Sequence, residues 1–194
     1  MTIMFDGCSS LTSIDVSNFN TENVKDMACM FIDCSKLISI NLKNFNTNKV
    51  IDMFWMFRGC SSLISIDISN FNTKNVHDMN GMFENCSKLT SINLKNFNTN
   101  NAILMQVMFR GCSSLTSIDA SSFNTKSVKK MVDMFSQCSS LKYLDISSFT
   151  TNHQSISLFE NLSNLSSSGR ILINKDFYDK IGRRIPTNWE IIFK

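Results

Sequence analysis

Six cysteines, Cys8, Cys34, Cys60, Cys86, Cys112 and Cys138, recur every 26 residues, and most of the chain keeps the same count. A period of this length marks one supersecondary unit that cannot bury its own apolar face and must stack on copies of itself. The chain is therefore expected to form a quasi-one-dimensional array whose core lengthens with every turn. The same period argues against catalysis. A ladder offers one side chain at every rung, whereas an active site gathers different ones.

One turn reads CSSLTSIDVSNFNTENVKDMACMFID, from Cys8 to Asp33. In its first half Leu11, Ile14 and Val16 follow L-x-x-I-x-V, with Ser13, Asp15 and Ser17 alternating outward, which predicts a short strand with one buried face. The equivalents are Leu37, Ile40 and Leu42, then Leu63, Ile66 and Ile68. In the second half Val24, Met27, Met30, Phe31 and Cys34 fall within an arc of roughly 120° at helical spacing, which predicts a short amphipathic helix. Thr21, Thr47, Thr73, Thr99 and Thr125 precede these segments and are expected to cap the helices. Phe19, Phe45, Phe71, Phe97, Phe123 and Phe149 close the strands and are expected to form a buried aromatic column.

A longer rhythm lies over the short one. CSKLISINLKNFNTN at 34–48 and CSKLTSINLKNFNTN at 86–100 differ at one residue, so the duplicated unit spans 52 residues. Stacked parallel strands lie about 4.8 Å apart, and a lysine in every turn would repel its neighbours. Lys43 and Lys95 alternate with Ser69 and Ser121, which roughly doubles the separation, beyond the Debye length of about 8 Å. Asp15, Asn41, Asp67 and Asn93 alternate in the same way.

After Phe149 the pattern fails: Leu158-Phe159 arrives early and 163–168 is serine-rich. RILINKDFYDKIG then suggests a strand and a short helix, and RIPTNWEIIFK a last strand. The expected organisation is an array of about six repeats over 1–159 and a capping segment over 160–194. Met1 falls in register with Met27, so the first residues are expected to lie inside a repeat, without an N-terminal cap.

Composition narrows the function. Net charge is +3 with 18% charged residues, which gives no basic surface of the kind that holds nucleic acid. The longest apolar runs are too short to span a membrane, and MTIMFDGCSS lacks the regions of a signal peptide. The cysteines occur once per turn without a paired ligand or a histidine companion, so neither a metal site nor another cofactor is expected. Burial as small hydrophobes is the expected role of the ladder, while Cys29 is off the register and expected to be more exposed. The M-x-x-M-F methionines read as core, and His77 and His153 occupy unrelated positions. None of the common nucleotide, nucleophile-elbow or zincin motifs is present.

The segment MFRGCSSLISIDISNFNTKNVHDM, residues 56–79, resembles the BspA-like leucine-rich repeat family, also described as the DUF285 repeat of mycoplasma lipoproteins. The resemblance covers roughly 1–150 through recurring M-F-x-x-C-x-x-L-x-x-I, F-N-T and V-x-x-M elements. It implies a surface-exposed or secreted protein that adheres to host proteins, matrix or other cells, and the family is not known for catalysis.

These readings together give an α/β repeat: a leucine-rich-repeat-like right-handed solenoid with a parallel β-sheet on one face and short helices on the other. The expected function is a non-catalytic protein-binding or adhesion module of the cell surface. Its open sheet face presents Ser13, Asp15, Ser17, Asn41, Lys43, Asp67, Asn93, Lys95 and Asp119. The alternative is an intracellular scaffold or structural repeat protein, favoured by unpaired thiols and the absence of an export signal in this segment. A protein partner is expected in either case, with no nucleic acid and no membrane insertion by this segment.

Overall fold

A computed structural model describes residues 1–150, Leu162 and 165–194 of the chain. Successive 26-residue turns lie one upon another in parallel. The L-x-x-I segments are joined by single backbone bonds: the N–H groups of Ile38, Ile64 and Thr90 donate to the carbonyls of Thr12, Ile38 and Ile64 at 3.1, 3.2 and 3.1 Å. Toward the C-terminal end these contacts widen into a regular sheet of β1 (Ser117–Asp119), β2 (Tyr143–Ile146), β3 (Gly169–Ile173) and β4 (Trp189–Phe193). The strands are ordered β1-β2-β3-β4 and every neighbouring pair is parallel. Ile118, Leu144, Ile171 and Ile191 stand in one row of partners, so the tail continues the apolar row of the repeats.

The second half of each repeat corrects the helical expectation. Met27, Met30, Phe31 and Cys34 are buried as that reading required, but the backbone is a run of overlapping tight turns. The N–H groups of Met27, Cys29, Phe31 and Asp33 donate to the carbonyls of Asp52, Phe54, Met56 and Arg58 in the next turn, at 3.0, 2.8, 2.9 and 2.7 Å. The N–H groups of Met30, Ile32 and Cys34 close turns on the carbonyls of Met27, Cys29 and Phe31, each at 3.3 Å. Positive φ angles at Cys29 and Asp33 (both 56°), and at Trp55, Gly59, Gly81, Asn85, Val107 and Gly111, make this zigzag possible. An isolated helix of eight or so residues is marginal in water. The zigzag leaves every second amide free to bond along the stack, and that ladder is what the turns adopt.

The threonine expectation is corrected with it, since no helix follows them. Thr47 Oγ1 donates to the Asn72 carbonyl at 3.1 Å and accepts the Asn72 N–H at 2.7 Å, and Thr21, Thr73 and Thr99 do the same one turn along. Each hydroxyl replaces a missing pair of ladder bonds.

Two aromatic columns run through the core. Phe45, Phe71, Phe97, Phe123 and Phe149 are buried, as expected of that position, while Phe19 in the first turn is only partly so. The tighter column is the other one: Phe5, Phe31, Phe57, Phe83, Phe109 and Phe135 stack with centroids 5.4 to 5.9 Å apart and rings within 8° of parallel. Offset-stacked rings at this distance are favourable beyond their area.

Among the described residues the one α-helix is α1 (Lys175–Ile181), between β3 and β4. Asn174 caps it, accepting the Phe177 N–H at 2.9 Å, and its amide donates to the carbonyls of Ser147 and Phe149 at 3.0 and 2.7 Å. Phe177 meets Phe149 edge-on at 5.9 Å and ends that column. The tail thus has the strand, short helix and last strand that its sequence predicts. Leu158-Phe159, His153 and the start of the serine-rich stretch lie outside the described residues.

Candidate functional site

The strand segments place one row of alternate side chains outward in every turn. Ser13, Asp15, Asn41, Lys43, Asp67, Asn93, Lys95 and Asp119 are exposed and Ser17 is half-buried. All nine share one face of the stack, as the period-2 alternation requires.

Each Asp or Asn rung also has a local task. The Oδ1 atoms of Asp15, Asn41, Asp67, Asn93 and Asp119 accept the N–H two residues on, from Ser17, Lys43, Ser69, Lys95 and Ser121, at 2.9 to 3.2 Å. These Asx turns end the extended segments, of which only that at Ser117–Asp119 is a regular strand. The hydroxyl and amide of Ser17 hold the Asp15 carboxyl below the ordinary carboxylate range, and Ser69 does the same for Asp67. The Oδ1 of each rung is committed to the backbone.

The sixth rung departs from the pattern. Asp145 is buried, and Lys194 Nζ approaches its Oδ2 at 2.7 Å while Ser147 donates N–H and O–H bonds to Oδ1. Burial works to raise its pKa, but these donors and the lysine charge hold it below the usual range. The candidate face therefore runs from the first turn to Asp119 and is closed at Asp145 by the tail.

Beside the polar rungs lies a feature the sequence reading did not single out. The column Thr12, Ile38, Ile64, Thr90, Thr116, Lys142 carries two adjacent isoleucines, 47% and 48% exposed. Reading the repeats as columns at that position would have found them. They form a small exposed apolar pair beside the polar rungs.

The turn face carries its own irregularities. Phe54 and Trp55 stack at 4.2 Å, Arg58 lies 4.8 Å over the Trp55 ring, and Trp55 covers Gly81, where a Cβ would stand 2.5 Å from Trp55 Cδ1. Buried Glu84 is held between Arg58, at 3.3 Å, and Arg110, while Arg58 also reaches Asp33 at 3.3 Å. Asp26, Asp52 and Asp78 are stacked at successive parallel bridges, and burial raises the Asp52 and Asp78 carboxyls above their ordinary value, each aided by the charge of the aspartate one turn before. Among the described residues no group of three His, Cys, Asp or Glu is arranged to hold a metal ion.

The cysteine ladder is interior. Cys34, Cys60, Cys86, Cys112 and Cys138 are fully buried, and their thiols donate to the carbonyls of Phe5, Phe31, Phe57, Phe83 and Phe109 at 3.0 to 3.2 Å. Burial pushes Cys34 up to about 11 and Cys138 up to about 12. Cys29, half-buried beside Asp6, Asp52 and Asp26, is raised by burial and then by those carboxylates, which makes it a poor nucleophile.

A family model described as a Mycoplasma protein of unknown function, DUF285, matches residues 1–114 and 62–170. No curated protein and no solved structure matches the chain.

Proposed function

We propose that this chain, which belongs to the Mycoplasma DUF285 family, is a non-catalytic protein-binding module of a cell-surface or secreted protein. In this reading it is a leucine-rich-repeat-like solenoid that engages host or neighbouring-cell proteins through its open sheet face. One observation carries the proposal: an exposed run of Ser, Asp, Asn and Lys rungs lies beside an exposed apolar pair, Ile38 and Ile64. Protein interfaces combine the same two elements, an apolar core and a polar rim. The Asx turns fix the Asp and Asn rungs in place, so these side chains lose little entropy when a partner is bound.

Two measurements test it. Protease shaving of intact cells, followed by peptide mass spectrometry, is expected to release peptides from the repeats; complete protection would place the module inside. Ile38→Asp combined with Ile64→Asp is expected to lower binding of the purified protein to cells or matrix at least about tenfold, the effect of losing one interface anchor. Undiminished binding by the folded double variant would remove this face from the function.

The free thiols favour a second reading, an intracellular scaffold, because disulfides are rare where thiols are kept reduced. The shaving experiment separates the two.

A further inference from the structure

The sheet has an open edge. β4 pairs with β3 on one side, and among the described residues no strand lies on the other. Backbone parity says which groups are left over. Arg170 N–H donates back to the Lys142 carbonyl, so the alternate residues Ile171 and Ile173 address β4, and Lys194 N–H duly donates to Ile173. Glu190, Ile192 and Lys194 thus turn their backbone groups toward β3, and Ile191 and Phe193 turn theirs to the open edge. Phe193 is 51% exposed, and Ile191 and Ile192 are partly so. An apolar strand edge of this kind is a template for another strand.

We infer that the occupant is a second copy of this chain, with the two β4 strands antiparallel about Ile192. The sequence Glu190-Ile191-Ile192-Phe193-Lys194 is self-complementary in that register. Ile192 faces its own copy, Ile191 faces the partner's Phe193, and Glu190 faces the partner's Lys194. The backbone parity agrees. Ile191 and the partner's Phe193 form a hydrogen-bonded pair and exchange both N–H···O bonds, and so do their two-fold equivalents. Glu190 and the partner's Lys194 fall in a non-hydrogen-bonded pair, where side chains stand closest.

The charges are complementary across the pair, and Glu190 and Lys194 swing outward from their present partners on β3 and β2 to meet. Arg170 already meets Glu190 at 2.7 Å, and Lys194 meets Asp145 at 2.7 Å. Pairing would produce a row of alternating sign: Arg170, Glu190, the partner's Lys194, the partner's Asp145. The same pairing covers Phe193, the large apolar side chain most exposed near the sheet's end.

The full chain is expected to sediment at twice its mass of 22.1 kDa when concentrated to about 100 µM, as befits a small interface. A mixture of isotope-labelled and unlabelled chain, treated with a zero-length carbodiimide, is expected to give a mixed-isotope link between Glu190 and Lys194. Within one strand these residues are about 13 Å apart, so the link can form only between copies. Glu190→Lys and Lys194→Glu each set like charges opposite one another and are expected to be monomers, while an equal mixture of the two recovers a heterodimer. Phe193→Pro removes an edge N–H without touching the bonds to β3, and is a monomer on the same grounds. A wild-type chain that stays at single mass and gives no mixed-isotope link overturns the inference, as do charge variants that dimerise alone or do not combine when mixed.

Discussion

Thr73 shows how much of the stack rests on single atoms. Its hydroxyl is buried, donates to the Asn98 carbonyl at 3.0 Å and accepts the Asn98 N–H at 2.8 Å. Thr73→Val keeps the shape and strands both backbone groups, so it is expected to cost about 2 kcal/mol, the penalty for unsatisfied buried polar groups. Thr73→Ser should cost much less. Urea denaturation of the two variants checks this, and equal midpoints would mean that the hydroxyl merely fills space. Sequence reading found this column, because a threonine at every rung is visible in any alignment of the repeats. Its task was misassigned, since a helix cap and a bridge to the next turn require the same residue type. The cysteine column was read correctly from Cys34 to Cys138, because burial of a small apolar side chain does not depend on the backbone around it, while Cys8 in the first turn is half-buried.

At the scale of the element, the turn ladder is where sequence reasoning fell short. The apolar spacing that a helix requires also fits a zigzag whose inward residues are Met27, Met30, Phe31 and Cys34. The missing signal lay in the column Gly7, Asp33, Gly59, Asn85, Gly111, Gln137, rich in residues that tolerate positive φ. The first halves were legible in part: alternation gave the buried and outward residues, but regular strands form only from Ser117 onward, and the earlier segments are extended stretches joined by single bonds. The row Asp26, Asp52, Asp78 was missed for another reason: the expectation of alternating charge holds for the sheet-face rungs and fails here. Asp78 keeps its Oδ1 as acceptor for the Asn80 N–H at 2.8 Å, so Asp78→Asn preserves the turn and removes the charge. Because burial, with the Asp52 charge, raises the folded pKa of Asp78, the neutral form favours folding; that contribution is present at low pH and lost as pH rises through the raised value. The variant is therefore expected to gain about 0.5 kcal/mol at pH 7, a typical like-charge cross-strand effect. The gain should vanish below the ordinary carboxylate pKa of 3.8, which denaturation at the two pH values will show.

Across the whole molecule, turns are joined by side chains as well as by backbone. Asp33, Arg58, Glu84 and Arg110 belong to four successive turns and form one chain of ion pairs, with Glu84 buried and both arginines partly exposed. Glu84→Gln leaves two guanidinium groups without their shared counter-charge. A cost of about 2 kcal/mol is expected, below that of a fully buried pair because solvent screens the arginines. A urea midpoint that falls at pH 7 with unchanged slope would confirm the cost. The overall period and the tail's strand, helix and strand were readable from the chain. This clamp was not, because opposite charges 26 residues apart have meaning only once the turns are stacked.

The stacking bonds also have a direction. In four columns of the turn ladder the N–H groups point toward the C-terminal end, while two columns, through Ile38 and Ile51, point the other way. The peptide dipoles therefore do not cancel, and they add along the stack as they do along a helix. The bridge row that begins with Asp26, Asp52 and Asp78 ends at Lys130, so its side-chain charges have the same sense. The hydrogen-bonded backbone of the turn face is therefore polar along the stack, with its carbonyl, negative end toward the first turns.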